Sequence, residues 1–208
     1  MNFPGFRAAQ FFWILCFVLA LLGCGQNKNA HALLHTDMGD IQVRLFDLTP
    51  RHRDNFIFLA ENNPHDTLIF YRIERDFAIQ FGPEPDELKH DFVLESEIEA
   101  PLLTGALAAA KADSLAFSDG TDFFIVLGRP QTDASLGEIE RKSSFRFSQK
   151  ERELYKKHGG LPQLHSQYTV FGEVVSGLEI AQKIAALPRD TAGRPLLEVK
   201  VWVEISRQ

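Results

Sequence analysis

The chain has 208 residues, of which 45% are hydrophobic and 24% charged, proportions typical of a globular protein with one sizeable core. Its formal net charge of −6 argues against sequence-independent nucleic-acid binding, because such binding needs a basic surface. The histidines are scattered, and none is spaced from cysteines or carboxylates in a metal-ligand pattern. The sequence also lacks a phosphate-binding glycine loop and a Gly-x-Ser-x-Gly elbow. We therefore predict neither a metal nor a cofactor.

The first 24 residues are organised like a bacterial export signal. A single positive charge, Arg7, precedes an apolar run over residues 11–22 that is too short to span a bilayer comfortably. The run ends in LLGC at residues 21–24, which resembles the bacterial lipobox, a motif cut before a cysteine that becomes lipidated. The alternatives are an ordinary secretory signal or an uncleaved membrane anchor. We predict a signal peptide over residues 1–23, a lipidated Cys24 and a polar tether through residue 30.

Cysteine usage agrees with this prediction. Cys16 lies in the segment that would be removed, so Cys24 would be the only cysteine of the mature chain and no internal disulfide could form. Loss of Arg7 would change the formal charge to −7 (−6 minus +1). The residues after Cys24, Gly25 and Gln26, include no acidic side chain, which favours an outer-membrane anchor and a domain that faces the periplasm. Several acyl chains together would anchor the protein stably.

The hydrophobic pattern of residues 31–208 predicts a single, mainly β domain. Short alternating runs at 31–36 and 41–46 flank Gly39, a pattern typical of a β-hairpin. Thr49-Pro50 supplies an N-cap and a first-turn proline for a helix over residues 50–62. Further strands are predicted at 67–73, 76–81, 94–98, 105–111, 123–127, 168–175 and 197–205, with a short helix at 178–187. The chain contains 18 Phe, most of them in these runs, so we predict a phenylalanine-rich core. Many strands and few helices predict an antiparallel barrel or sandwich with helices capping its ends.

A long charged segment, residues 128–160, stands apart as an insertion. Ser148 and Glu151 form a capping-box pattern, which predicts a helix of about ten residues. Gly159-Gly160 can supply a left-handed cap at the end of that helix. Because most of its residues are charged, we interpret it as a solvated surface helix.

Three ordered stretches carry a family resemblance. The first is Thr36–Ile41 with Leu45-Phe46 and Asn55-Phe56, and the second is IFYRIERDFAIQ at residues 69–80. The third comprises residues 105–110, 120–125 and 164–174. Together they resemble the cyclophilin family of peptidyl-prolyl cis–trans isomerases, whose signature reads F-H-R-[VI]-x-x-x-F-x-[IC]-Q-G-G. The resemblance covers nearly all of the predicted mature chain and implies a closed eight-stranded antiparallel barrel with two capping helices.

The chemistry of such an enzyme needs no nucleophile. An X-Pro amide rotates over a barrier of about 18–20 kcal/mol because its nitrogen shares a lone pair with the carbonyl. In the twisted transition state that lone pair is freed, so a fixed cationic donor pointed at the nitrogen stabilises that state selectively. Arginine suits this role because it is always charged, and an apolar pocket must hold the proline ring still.

The resemblance implies that Arg72 is this donor and that Gln80, on the adjacent strand, orients it through a hydrogen bond. It implies that the substrate is bound by Phe77, Ala78, Ala110, Lys111, Asp122, Phe124, Leu164 and Tyr168. Phe77, Phe124 and Leu164 would form the proline pocket and Tyr168 would line it, while Ala110 and Lys111 would offer backbone groups to an extended peptide. Without the resemblance, Arg72 beside Glu74 is more typical of an ordinary surface ion pair, and Phe77 and Phe124 could be plain core.

The chain departs from the family pattern at several site positions. Tyr71 replaces the usual His, and Ala78 replaces a Met that often packs against the pocket, which makes that wall shallower. Phe81 replaces the first Gly after Gln80 and so restricts the backbone. Asp122 replaces a substrate-binding Gln, and its carboxylate could compete for the hydrogen bonds of Arg72. Gln163 stands where some members have Trp.

These observations support a lipid-anchored prolyl isomerase that assists the folding of proline-containing polypeptides in the bacterial envelope. The departures support an alternative, a catalytically weak or inactive module that binds peptides in the manner of a chaperone. A third hypothesis is an envelope scaffold whose charged insertion recruits a partner protein. The sequence does not decide the client proteins or the oligomeric state.

Overall fold

The computed structural model describes residues 30–62, 68–83, 93–97, 100–111, 117–118 and 120–207. The predicted signal peptide and Cys24 therefore lie outside the described residues. Within those ranges, no helix combines the length and the apolar composition needed to cross a bilayer.

Eight of the ten described strands close into an antiparallel barrel. The strands are β1 (Ala30–Thr36), β2 (Gly39–Leu45), β3 (Leu68–Glu74), β4 (Ala78–Gly82), β5 (Leu94–Glu95), β6 (Ala106–Ala109), β7 (Phe117–Ser118), β8 (Phe123–Val126), β9 (Val170–Ser176) and β10 (Lys200–Arg207). Around the barrel the order is β1-β10-β3-β4-β8-β6-β9-β2, and β5 pairs with β7 in a separate two-stranded ribbon. The predicted eight-stranded barrel is confirmed, and the run predicted at 94–98 contributes Leu94 and Glu95 to the separate ribbon.

Four α-helices and one 3-10 turn complete the described structure. They are α1 (Pro50–Asn62), α2 (Asp133–Lys142), α3 (Gln149–His158), α4 (Leu178–Ala185) and the turn Pro162–Leu164. Helices α1 and α4 pack apolar faces into the barrel core, through Phe56 and Ile57 from α1 and Ala181 and Ile184 from α4. Both helices agree with the sequence prediction.

Phenylalanine rings fill the interior of the barrel, as predicted. Phe56 meets Phe123 edge to face at 4.9 Å between ring centroids, and Phe171 lies 5.4 Å from Phe56. Phe81 lies 5.4 Å from Phe70 and 5.7 Å from Phe123. Such tilted and edge-to-face pairs add to the free energy gained by burying the rings. The barrel core is therefore held by a continuous aromatic cluster.

The N-terminus of α1 is capped by a residue distant in sequence. Thr49 occupies the N-cap position, because its carbonyl accepts from the Arg53 N–H at 3.0 Å. Its hydroxyl, however, is buried without a hydrogen-bond partner among the described residues. The Glu97 carboxylate instead accepts from the backbone N–H groups of Arg51 at 3.1 Å and His52 at 2.9 Å. It also lies 2.8 Å from His52 Nδ1, so a negative charge sits where the helix dipole favours one.

The insertion contains two helices, whereas the sequence predicted one. The capping box of α3 is confirmed, since Ser148 N–H donates to Glu151 at 2.7 Å and Glu151 N–H donates to the Ser148 hydroxyl at 3.3 Å. Gly159 ends α3 with a φ of +75°, but its ψ of −167° lies outside the left-handed helical region. Helix α2 was missed because its cap, Thr132, is paired with Ser135 rather than with a Glu or Gln.

An ion-pair network joins the two insertion helices. Arg152 on α3 contacts Asp133 at 3.2 Å and Glu140 at 3.0 Å, and Lys156 contacts Asp133 at 3.1 Å. The backbone N–H of Phe147 and the Arg152 guanidinium lower the pKa of Glu140, and Lys156 and Arg152 lower the pKa of Asp133. Carboxylates with a lowered pKa stabilise the folded state at neutral pH, and that stabilisation is lost as the pH falls through the folded-state pKa.

A small hydrophobic cluster within the insertion, separate from the barrel core, attaches the insertion to the segment that follows it. Tyr155 on α3 is fully buried among Leu136 and Phe147, and burial raises the pKa of its hydroxyl. The Tyr155 hydroxyl lies 3.2 Å from His165 Nδ1, and His165 Nε2 lies 3.4 Å from Glu151. Because His165 follows the 3-10 turn directly, the insertion fixes the position of that turn.

The two ends of the insertion meet at glycines. Gly160 N–H donates to the Gly128 carbonyl at 3.2 Å, and Leu161 N–H donates to the Leu102 carbonyl at 2.8 Å. A Cβ on Gly160 would overlap the Leu102 carbonyl, and the φ of +134° at Gly160 is one that other residues rarely adopt. The close backbone contact at this point therefore depends on glycine.

We predict that Gly160→Ala lowers the free energy of unfolding by about 2 kcal/mol or more, since it adds both an overlap and backbone strain. Gly137→Ala provides an opposite-signed control, because Gly137 lies inside α2 and a Cβ there meets nothing within 4 Å. We expect this control to stabilise the protein by about 0.5–1 kcal/mol. Urea unfolding monitored by circular dichroism measures both values, and equal effects of the two substitutions would contradict the prediction.

We predict that Glu97→Ala lowers the free energy of unfolding by about 1–3 kcal/mol, because it leaves the backbone N–H of the buried residue His52 without its acceptor and removes a second cap from Arg51. The Glu97 side chain is only 11% exposed, whereas that of Glu95, two residues away, is 77% exposed. Glu95→Ala is therefore the matched control and should change the unfolding free energy by less than about 0.5 kcal/mol. The same urea titration tests the pair, and a Glu97→Ala variant as stable as its control would refute this capping role.

Candidate active site

The site predicted from sequence lies on the outer face of β4, β8 and β6. Along β4, Ile79 and Phe81 point into the barrel core, so the alternating Ala78 and Gln80 face outward. Along β8, Phe123 and Ile125 belong to the core, while Phe124 and Val126 belong to a second cluster outside it. The closed barrel thus presents an apolar wall on its outer surface, which the turn Pro162–Leu164 partly covers.

This outer wall brings together six of the predicted substrate-binding residues. The second cluster contains Phe77, Ala78, Ala110, Phe124, Leu164 and Tyr168. Phe124 meets Tyr168 edge to face at 5.2 Å between ring centroids, and the ammonium of Lys111 lies 5.6 Å from the Tyr168 ring. Residues as far apart in sequence as Phe77 and Tyr168 therefore line one apolar surface. Phe46 and Leu161 also border it, and the sequence analysis assigned them no role there.

A β-bulge places Arg72 beside this wall. Phe70 pairs with Phe81 and Arg72 pairs with Gln80, so β3 advances two residues while β4 advances one. Phe70 points into the core, and strict alternation would send Arg72 inward with it. The extra residue, Tyr71, reverses the alternation and directs Arg72 to the outer face.

Arg72 is half exposed and contacts three neighbours. Its Nη2 donates to the Glu74 carboxylate at 3.2 Å, and its guanidinium carbon lies 5.7 Å from the centre of the Phe77 ring. A Cβ on Gly193 would lie 3.3 Å from Arg72 Cγ, so the loop at Gly193 packs against the side chain. That loop is fixed to β3, because Gly193 O accepts from the Ile73 N–H at 2.8 Å.

The expected hydrogen bond from Gln80 to Arg72 is absent among the described residues, although the two residues lie opposite each other in the sheet. The acceptor is Glu74, two positions along β3 on the same face. The ion pair that the sequence alone allowed is therefore present, and it coexists with the apolar wall. This contact could have been anticipated from the period-two alternation of Arg72 and Glu74.

Asp122 does not form an ion pair with Arg72 in the described structure, so the competition considered for its carboxylate does not occur there. A Cβ on Gly82 would overlap the Asp122 carboxylate, which places that side chain against β4. The Asp122 carbonyl accepts from the Ala110 N–H at 2.8 Å. Because this N–H is already used within the barrel, Ala110 can offer a peptide only its carbonyl.

The structure accounts for another departure from the family pattern, the presence of Phe81 in place of a glycine. Its side chain is fully buried in the barrel core, where it packs against Phe70 and Phe123. The bulky residue therefore does not fill the outer site. Ala78 does lie on the outer wall, where it is buried, and Gln163 is exposed in the 3-10 turn.

The turn between β3 and β4 is tied to the insertion. Arg129 forms an ion pair with Asp76, and this hydrogen-bonded contact lowers the pKa of Asp76. Leu127 N–H donates to the Phe77 carbonyl at 2.7 Å on the same turn. Phe77 is thereby held in place from the adjacent strand.

Among the described residues, no group of three or more His, Cys, Asp or Glu side chains could hold a metal ion.

Comparison with known proteins identifies the family. The model of the cyclophilin type peptidyl-prolyl cis-trans isomerase domain matches residues 31–204. The chain belongs to the cyclophilin-type peptidyl-prolyl cis-trans isomerase family. This confirms the resemblance, the predicted fold and the assignment to the isomerases.

Relatives from staphylococci support the same assignment. A protein of Staphylococcus epidermidis is 29% identical over 185 residues, which cover 85% of this chain and 91% of the relative. One from Staphylococcus haemolyticus is 27% identical over 184 residues, covering 85% and 90%. Both are named provisionally as peptidyl-prolyl cis-trans isomerases.

Solved structures share the cyclophilin fold. A cyclophilin type peptidyl-prolyl cis-trans isomerase of Cryptosporidium parvum superposes with a TM-score of 0.64 at 20% identity, covering 86% of this chain and 99% of its own. A second structure of that protein, determined in the presence of the dipeptide Ala-Pro, gives a TM-score of 0.62.

Proposed function

We propose that this cyclophilin accelerates the cis–trans isomerisation of X-Pro bonds, with Arg72 as the donor to the proline nitrogen. The observation that carries the proposal is the bulge at Tyr71, which sets the Arg72 guanidinium beside the apolar wall of Phe77, Phe124 and Leu164. A strand irregularity that re-aims one side chain is a feature often found next to active sites.

Arg72 can stabilise the twisted amide because its charge is permanent and its geometry rigid. When the C–N bond twists, the nitrogen lone pair leaves conjugation and becomes a hydrogen-bond acceptor. A guanidinium N–H directed at it is favoured in the transition state over both planar isomers. The ion pair to Glu74 engages Nη2 alone, so the other N–H groups of the guanidinium can face a substrate.

The apolar wall can hold the proline ring while the preceding residue rotates. Phe77, Phe124, Leu164 and Tyr168 supply one continuous apolar surface, and Phe77 also contacts the guanidinium. A proline ring held on this surface would therefore lie next to the Arg72 guanidinium, with Phe77 in contact with both. Such positioning of the reactive bond beside its donor is what the reaction requires. The Ala-Pro dipeptide recorded with the Cryptosporidium relative supports a proline-containing peptide as the substrate.

We further propose that the substrates are unfolded or folding polypeptides of the bacterial envelope and that Cys24 anchors the enzyme to a membrane. The LLGC run at residues 21–24 supports this part, and so does the spacing between Cys24 and the start of β1 at Ala30. A tether of this length would keep the barrel close to the membrane.

We predict that the wild-type protein accelerates the cis-to-trans relaxation of a proline peptide and that Arg72→Ala lowers kcat/KM by about 100-fold or more, as loss of a preorganised donor does. Arg75→Ala is the matched control, since Arg75 lies three residues away on the surface and donates to the Ala186 carbonyl. NMR exchange spectroscopy of a labelled peptide measures both binding and acceleration.

The proposal is falsified if the wild type gives no acceleration or if Arg72→Ala retains full activity. A wild type that binds the peptide without speeding exchange would establish the alternative, a binding module of chaperone type.

We predict that the chain expressed with its own N-terminus in a bacterium partitions into the detergent phase of a phase-separation assay, and that Cys24→Ser moves it to the aqueous phase. The reason is that lipid attached to the cysteine thiol supplies the apolar anchor. Mass spectrometry of the N-terminal peptide identifies the lipid. Aqueous partitioning of the wild type, or retention of Cys24→Ser in the detergent phase, would contradict the lipid anchor.

A further inference from the structure

We propose that Glu74 is a positioning residue, which holds the Arg72 guanidinium in the orientation that the reaction needs. The inference rests on the proposed isomerase activity and deepens it. Glu74 falls at a position that the family signature leaves unspecified, so the signature itself assigns it no role.

The backbone at Glu74 is well placed for this purpose. Glu74 is the last residue of β3 and lies opposite Ala78, the first residue of β4. Its carbonyl accepts from the Phe77 N–H at 3.2 Å, which closes the turn between the two strands. The Cα of Glu74 is therefore fixed by the sheet on one side and by the turn on the other, so only its side chain is free to move.

The Arg72 guanidinium is restrained from three directions. The Glu74 carboxylate accepts from Nη2 at 3.2 Å, the Phe77 ring lies 5.7 Å from the guanidinium carbon, and the loop at Gly193 packs against Cγ. Of these contacts, the one to Glu74 is the only directional one among the described residues. A long arginine side chain loses much rotamer freedom when it is held, and here that loss occurs before the substrate binds.

Glu74 takes over the role expected of Gln80. Gln80 faces Arg72 across the sheet without a hydrogen bond to it, and its amide is neutral. A carboxylate makes a stronger, charge-assisted bond to a guanidinium. The pair is also half exposed, at 47% for Arg72 and 42% for Glu74, so part of the guanidinium stays accessible to a substrate.

The test compares Glu74→Ala with Glu74→Gln in the peptide exchange assay. Because exposed ion pairs are worth about 0.2–1 kcal/mol, we expect Glu74→Ala to lower kcat by about 1.4- to fivefold. KM should stay within about twofold, because the apolar wall is untouched and only an interaction in the transition state is weakened. Glu74→Gln retains an oxygen acceptor without the charge, so it should recover part of the lost activity.

The matched control is Glu173→Ala. Glu173 is 43% exposed and pairs with Arg44 on the opposite part of the barrel, so it has the same chemistry and exposure without contact to Arg72. Its kcat should equal that of the wild type. A second readout is the NMR order parameter of the Arg72 Nε–Hε group, which should fall further in Glu74→Ala than in Glu74→Gln.

Three outcomes would overturn the inference. An unchanged kcat in Glu74→Ala would make the contact a passive ion pair, and an increased kcat would make Glu74 a competitor of the substrate. An equal loss in Glu74→Ala and Glu74→Gln would exclude positioning through the hydrogen bond. All three need an active wild type, so they are distinct from a failure of the proposed function, in which the wild type itself gives no acceleration.

Discussion

The alternation of side chains in a closed barrel is the constraint on which the rest of this molecule depends. Each barrel strand sends alternate residues into a core that is already filled by phenylalanine rings, so a long charged side chain such as that of Arg72 is accommodated on the outer face. The bulge at Tyr71 shifts the inward–outward alternation of β3 by one residue. Phe70 and Ile73 therefore both point into the core, while Arg72 points outward. On β4 and β8, regular alternation places the apolar residues Ala78, Phe124 and Val126 on the outer face. The Arg72 guanidinium lies next to the apolar wall because the register between β3 and β4 shifts by one residue at this point.

The wall is completed by elements outside the barrel, and the contacts that hold them are polar. His165 is bonded to Tyr155 on α3, which fixes the turn containing Leu164. On the other side of the wall, the Glu97 N–H donates to the Thr169 hydroxyl, immediately after Tyr168. The carboxylate of Glu97 in turn caps α1. Helix α1 and helix α3 are therefore each linked to the residues that cover the outer face of the barrel.

Elements defined by local chemistry could be predicted from the sequence. Proline at the first turn of α1 and the Ser148–Glu151 box of α3 act within a few residues, and period-two patterns marked most barrel strands. The family motif also grouped residues that the fold brings together, such as Phe77, Phe124 and Tyr168. Prediction failed where a long-range contact replaced a local one. Glu97 displaced the Thr49 hydroxyl as the cap, Glu74 displaced Gln80 as the partner of Arg72, and α2 used a weaker cap built from two hydroxyl residues.

The junction at Gly128 and Gly160 has a consequence for how the domain can change. Because the chain leaves and re-enters at two residues that are bonded to each other, everything between them is a module whose removal or replacement need not stretch the barrel. Evolution or protein engineering could exchange that module in a single step. The exchange is not neutral for the rest of the protein, however, because Tyr155 travels with the module and its partner His165 stays behind beside Leu164. A graft at this junction would thus change what the outer wall of the barrel packs against without altering the barrel itself.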